Sequence, residues 1–246
     1  MVIGLVAVAP GAKNFRTAFL SPEHFKKSAP QVWTGFQTNI KLMLVAEVLV
    51  LAIALLIALI RNLPGAAVFP LRILAIAYTD IFRGIPLILV VFMVGLGLPA
   101  LQLKVVSTQS VFVYGVVALT LVYSAYVAEV YRAGIESVHG SQVAAARSLS
   151  LSHWQTMRHV VLPQAIRRVI PPLLNDFIGL QKDTALVALI GVVEAGREAQ
   201  DYSSVTFNFT GYTVAAVFFI ALTIPLARFT DYLIRRDQRR MRATGG

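Results

Sequence analysis

The chain has 246 residues, 57% of them hydrophobic and only 14% charged. A soluble domain carries about 25% charged residues, so the composition and a mean hydropathy of +0.71 argue against a soluble domain, a disordered chain and a coiled coil. The absence of cysteine excludes disulfides, thiolate metal sites and a cysteine nucleophile. The net charge of +10 lies between apolar runs and reads as the arginine excess of cytoplasmic loops, not as a nucleic-acid surface.

Residues 1–34 come first. Met1–Ala9 is apolar but too short to span a bilayer. No basic stretch precedes it, so a signal peptide fits poorly; a segment lying on the membrane surface fits better. Five membrane spans are expected after it, at about residues 40–60, 84–101, 110–130, 169–193 and 211–233. Leu42–Ile60 carries a single charge, Glu47, and Gly84–Leu101, Ser110–Ala128 and Gly211–Ala227 carry none. A span needs about 20 such residues. The fourth is interrupted by Asn175, Asp176, Gln181, Lys182 and Asp183. Residues 236–246 form a basic tail.

The charges between spans set an orientation. Arg61, Arg72 and Arg83 lie between the first two spans. Arg132, Arg147, Arg158, Arg167 and Arg168 lie between the third and fourth, and Arg228, Arg235, Arg236, Arg239, Arg240 and Arg242 follow the fifth. The opposite connections hold only Lys104 and Arg197. The arginine-rich side is cytoplasmic, which places the N-terminus outside and the C-terminus inside. Lys13, Arg16, Lys26 and Lys27 run against this bias. The arginines of the tail sit beside a span, where anionic lipid is the simpler partner.

The connection from Arg132 to Val169 is long for a loop between spans and reads as structured. Ser141 is placed to cap a helix over Gln142–Leu149 that contains Ala144, Ala145 and Ala146. Ser152 and Gln155 match the S-x-x-Q capping box, and Trp154, Met157 and Val161 recur at helical spacing. Pro163 follows, and Pro171-Pro172 are expected to break the helix before the fourth span. The result is two short helices joined by a turn near Ser150, over residues 137–163. Spacing alone supports two readings: a surface for close approach of another protein, or an interfacial hairpin with no partner.

Charged groups inside spans are costly and normally face the bundle interior. Asn175 with Lys182, and Asp176 with Asp183, are seven residues apart and share helical faces. Together with Glu47 and Thr184 they are candidates for a substrate path or gate; a structural polar cluster fits the pattern equally well.

Glu129–Ala195 resembles the permease subunits of ABC importers for polar amino acids. That family's cytoplasmic motif reads E-A-A, a glycine four residues after the second alanine, and a distant L-P. Here it falls on Ala144, Ala145, Ala146, Ser150, Leu162 and Pro163. The stretch IFRGIPL, Ile81–Leu87, resembles the family's R-G-x-P-L element, and Asn175, Lys182, Asp183 and Thr184 resemble its N…K-D-T pattern. The resemblance runs from about Gly35 to Arg235. It implies an all-α integral membrane protein with a type I ABC importer permease fold. Ala144, Ala145, Ala146, Arg147, Ser150, Leu162 and Pro163 would then face a cytoplasmic ATPase. Further implied partners are an extracytoplasmic substrate-binding protein and a second permease copy or paralogue. ATP and Mg are expected in the ATPase, and no cofactor on this chain. Ala144 replaces the motif glutamate and Ser150 the motif glycine. If Ala144 is the third helical residue, its capping-box partner is lost; if Ser150 has positive φ, it is strained.

Other classes fit less well. The chain has no G-x-x-x-x-G-K-[ST] to cradle a nucleotide and no H-E-x-x-H zinc motif. His24, His139, His153 and His159 fall outside the expected spans, against an intramembrane enzyme. No filter sequence marks a channel.

Overall fold

A computed structural model of the chain describes residues 10–63 and 65–244, and the described residues are helical throughout, with no strand. The apolar stretch Met1–Ala9 lies outside them. The short helix α1, Ala12–Phe19, docks by its C-terminal end on the start of the last helix: the N–H of Phe209 donates to the Ala18 carbonyl (2.8 Å) and the Thr213 hydroxyl to that of Phe19 (2.7 Å).

Helix α2 runs from Pro22 to Asn62. Ser21 caps it by accepting from the His24 N–H, and Pro22 occupies its first turn, where a missing N–H costs nothing. Its 41 residues extend about 60 Å, twice the ~30 Å of a bilayer core. The boundary expected near residue 35 therefore falls inside one continuous helix, whose second half is the apolar span.

Helix α3, Phe69–Gly84, and α4, Leu87–Ala100, meet at a bend of 106°. The apolar stretch expected to span at about residues 84–101 is thus the second arm of a bent pair. Pro86 confines Ile85 to extended backbone (φ −96°, ψ 130°), so the helix ends there. The second segment, about 21 Å long, is too short to cross alone, and a π turn at Met93–Gly97 interrupts it. Arg72 and Arg83, expected in a connection, belong to helix α3.

Helix α5, Val111–Glu136, is the most buried of the long apolar helices. Beyond it α6, Gly140–Ser148, begins the hairpin. The return arm starts at His153–Thr156, passes a π turn at Met157–Val161, and continues as α7, Leu162–Asp183. The π turn directly precedes Pro163, which has no N–H for the carbonyl one turn back. Pro171 and Pro172 do not break α7, contrary to expectation. Their fixed φ is helical, and only the carbonyls of Arg167 and Arg168 lose donors. Packing holds this stretch to α5: a Cβ on Gly134 would lie 2.1 Å from Val169 Cγ1. After Asp183 the chain tightens into a 3₁₀ helix, Thr184–Ile190, and turns at Gly191 (φ +95°).

Helices α8, Ala195–Thr206, and α9, Thr210–Thr244, complete the chain. Helices α2 and α9 run in the same direction: Ser21 N–H reaches Thr210 Oγ1 (3.2 Å), and farther along the Phe36 ring packs on Phe218 and Phe219. One core lies among α2, α4, α5 and α7, around Leu42, Leu119, Val122 and Leu180. A smaller one, around Val32, Phe36, Ala195 and Val214, joins α2, α8 and α9. By length and apolarity α2, α5 and α9 suffice to cross a membrane, and the bent α3–α4 pair makes a fourth candidate.

Candidate functional site: a polar cavity and an exposed hairpin

The hairpin is built by local hydrogen bonding. Helix α6 starts at Gly140, with His139 as its N-cap: the His139 ring accepts from the Ser141 N–H (3.5 Å). Ser141 is therefore not the cap, and Ala144 is the fifth helical residue instead of the third. A glutamate at 144 would not complete a capping box here. The helix ends in a Schellman motif. The Leu151 N–H reaches the Ala146 carbonyl (3.2 Å) and the Ser150 N–H that of Arg147 (2.9 Å), with Ser150 between them at φ +61°. This is the position glycine favours, and serine there costs about 1 kcal/mol. The return arm is capped reciprocally: Ser152 N–H donates to Gln155 Oε1 (2.8 Å) and Gln155 N–H to Ser152 Oγ (3.2 Å).

Of the motif residues, Ala144, Ala145, Arg147, Ser150 and Pro163 are exposed, Leu162 is half-buried, and Ala146 is turned inward and buried. Leu149 and Trp154 flank the turn, 79% and 65% exposed. Their exposure was not legible in the sequence, where helical spacing grouped Trp154 with the core residue Val161.

A cavity of about 250 Å³ opens between α4, α5 and α7, lined by Leu87, Tyr123, Tyr126, Asn175, Asp176 and Asp183 among others. The Tyr123 hydroxyl donates to Asp183 Oδ2 (2.8 Å). Asp176 Oδ2 is buried and has no hydrogen-bond partner among the described residues. Half-buried Glu47 on α2 lies within Coulombic reach of Asp176. Gly179, one turn on from Asn175, keeps the wall open, since a Cβ there would stand 3.0 Å from the Tyr123 hydroxyl. The structure thus brings Asn175, Asp176 and Asp183 together, but Lys182 is exposed and does not line the cavity. Among the described residues no lysine or arginine lines it.

Thr184 belongs to a different, buried network that sequence reading missed. The Asn39 amide donates to Thr184 Oγ1 and to Glu194 Oε2, both at 3.0 Å, and Asn39 Oδ1 accepts from the Ala195 N–H (3.0 Å). Glu194 is fully buried and caps α8 through the Arg197 N–H (2.7 Å). Gly35 lets α2 approach this turn, because a Cβ would fall 2.6 Å from the Glu194 carbonyl carbon. The E-A-G-R stretch of Glu194–Arg197 was the available signal, but glutamate is not a favoured N-cap.

Residues 51–239 match the family model described as "Binding-protein-dependent transport system inner membrane component". A probable glutamine ABC transporter permease protein of Bacillus subtilis is 39% identical over 195 residues, covering 78% of this chain and 88% of that protein. A putative glutamine transport system permease protein of Rickettsia typhi is 34% identical over 176 residues, covering 71% and 78%. Among solved structures, that of an amino acid ABC transporter with histidines has a TM-score of 0.78 at 33% identity, covering 85% of this chain and 95% of that one. The MetNI methionine ABC transporter in an inward facing conformation shares the fold, with a TM-score of 0.66 at 19% identity.

Proposed function

Because the chain belongs to the binding-protein-dependent transport system inner membrane components, a family of non-catalytic, multi-pass permeases, we propose that its cavity is the passage for a polar amino acid. The passage is driven by ATP hydrolysis in a separate subunit. The observation that carries this reading is the buried carboxylate oxygen of Asp176, without a partner among the described residues, at a cavity lined by a second aspartate and by no described basic side chain. Such a site takes a positive charge, and every amino acid brings one as its α-ammonium. The carboxylate of the cargo meets the start of α4, where Leu87 lines the cavity and the first N–H groups have no helical partner. Glu47 on α2, within Coulombic reach of Asp176, adds to the negative potential, which favours cargo with a cationic side chain.

The hairpin of α6 and its return arm docks on the ATPase, with Leu149 and Trp154 joining Ala144, Ala145, Arg147 and Ser150 at the contact. ATP and Mg are held by that partner. A second permease, identical or paralogous, completes the path, and an extracytoplasmic binding protein delivers the cargo. The arginine bias and the shared direction of α2 and α9 support a fold crossed five times, with α7 as the polar crossing, the N-terminus outside and the C-terminus inside.

The test is purification in mild detergent with ATPase and binding protein, followed by reconstitution in liposomes. Labelled glutamine, histidine and arginine should enter only with ATP. An assembled complex that imports no amino acid would overturn the reading.

A further inference from the structure

Beyond the cavity, one half-buried carboxylate, that of Glu129, gathers three arginines from three helices. Arg61, in the last turn of α2, bonds Glu129 Oε1 and also donates to Thr79 Oγ1 on α3 (3.0 Å). Arg132 holds Glu129 Oε2 through Nε (3.0 Å) and Nη2 (2.7 Å), and Arg83, at the end of α3, stands 3.7 Å from the same oxygen. The Glu129 side chain is 15% exposed and that of Arg61 13%, and Thr79 is fully buried. Glu136 takes part of the charge of Arg132 (2.5 Å). Arg61 and Arg83 have Glu129 as their one carboxylate among the described residues.

The cluster lies between the two features already described. Glu129 is three residues from Tyr126, which lines the cavity, and eight from Ser137, where the hairpin begins. The Ser137 carbonyl accepts from Arg168 on α7, and Gly134 abuts Val169, so the end of α5, from which the hairpin departs, is joined to α7, into which its return arm runs. Helix α3 leads through Pro86 directly into Leu87 of the cavity wall.

We propose that Glu129 is a positioning residue: its carboxylate locks the hairpin-side ends of α2, α3 and α5 into one body, so that movement of the hairpin reaches the cavity. The mechanism is electrostatic. One shared carboxylate holds three guanidinium groups that repel one another, with Glu136 offsetting only Arg132, in a partly dry setting where such forces are weakly screened. Without it the three helix ends are driven apart, and the ATPase cycles without moving the cavity walls. The inference rests on the permease reading; uptake by the unaltered complex tests that reading, and only the variants test Glu129.

The experiment measures ATP hydrolysed per amino acid imported by the reconstituted complex of permease, ATPase and binding protein. Glu129→Gln, which keeps the shape and removes the charge, is expected to assemble normally and to raise this ratio at least about threefold. Adding Arg61→Gln removes one uncompensated charge and should bring the ratio back toward the starting value, and Glu129→Asp should lie between. A merely structural residue would change the yield of complex and leave the ratio alone. An unchanged ratio in Glu129→Gln overturns the proposal, as does a double variant no better than the single one. If Glu129→Gln fails to assemble, restoration of assembly by Arg61→Gln supports the charge lock, and continued failure overturns it.

Discussion

The side-chain amide of Asn39 donates at 3.0 Å to the buried carboxylate of Glu194, a residue 155 positions away in the chain. This bond and those to Thr184 and Ala195 tie the middle of α2 to the turn between α7 and α8. The pairing has an energetic asymmetry: a buried charge left short of donors costs far more than the bond contributes when made. Asn39→Leu is therefore expected to destabilise the chain by about 2–3 kcal/mol, read as a lower Tm in detergent. Asn39→Asp should be worse, because it sets a second carboxylate against the first. A Tm unchanged in both variants would show that Glu194 is satisfied without Asn39.

Ser150 is the simplest place to relieve strain. Its φ of +61° at the C′ position of a Schellman motif is one that glycine adopts freely, so Ser150→Gly should stabilise the hairpin by about 1 kcal/mol. Slower limited proteolysis between residues 140 and 163 would register the gain. Ala144→Glu should add no comparable stability, because the helix starts at Gly140 and residue 144 lies beyond the reach of the cap. Equal protection by both substitutions would contradict the observed helix start.

The exposed pair at the hairpin turn makes a separate prediction about assembly. Trp154 and Leu149 present large apolar surface to solvent, and an interface that buries a tryptophan commonly loses about 2 kcal/mol on its truncation. Trp154→Ala should reduce recovery of the ATPase on affinity purification while leaving the Tm of the isolated permease unchanged. Undiminished recovery would place the dock elsewhere.

How far such features could be read beforehand depended on their range. The apolar run Ser110–Ala128 became α5 because a lipid-length stretch without charge has few other solutions. The S-x-x-Q box at Ser152 formed as its local pattern requires. Proline was ambiguous. Pro86 ended a helix, whereas Pro171 and Pro172 did not, since packing of α7 on α5 at Gly134 outweighs two missing donors. Heptad spacing paired Asn175 with Lys182 and Asp176 with Asp183, but could not say which of the four face the cavity. That depends on what packs against α7, and Tyr123 on α5 selects Asp183. Arg132 and the Arg197 N–H meet Glu129 and Glu194 three residues on, but Arg61, Arg83 and Asn39 lie on other helices, at no fixed spacing, and were invisible as partners.

Asp176 and Lys182 separate a cavity role from a surface role. Asp176 Oδ2 is buried without a partner, so no bond within the chain is lost when its charge is removed. Asp176→Asn should keep or raise the Tm, because an uncompensated buried charge is itself costly. Uptake should nevertheless fall about tenfold or more at low substrate, the worth of one charge-assisted bond to the ammonium of the cargo, and the loss should appear chiefly in KM. Asp176→Glu, which retains the charge at a different reach, should recover part of it. Lys182, exposed and outside the cavity, should tolerate Lys182→Gln with uptake changed by no more than about twofold. The opposite pattern, with Lys182→Gln disabling transport and Asp176→Asn silent, would move the path from the aspartate face of α7 to the lysine face. Measuring uptake and Tm on the same preparations keeps a folding defect from passing as a transport defect. A stable Asp176→Asn complex with unimpaired uptake would remove this carboxylate from the path.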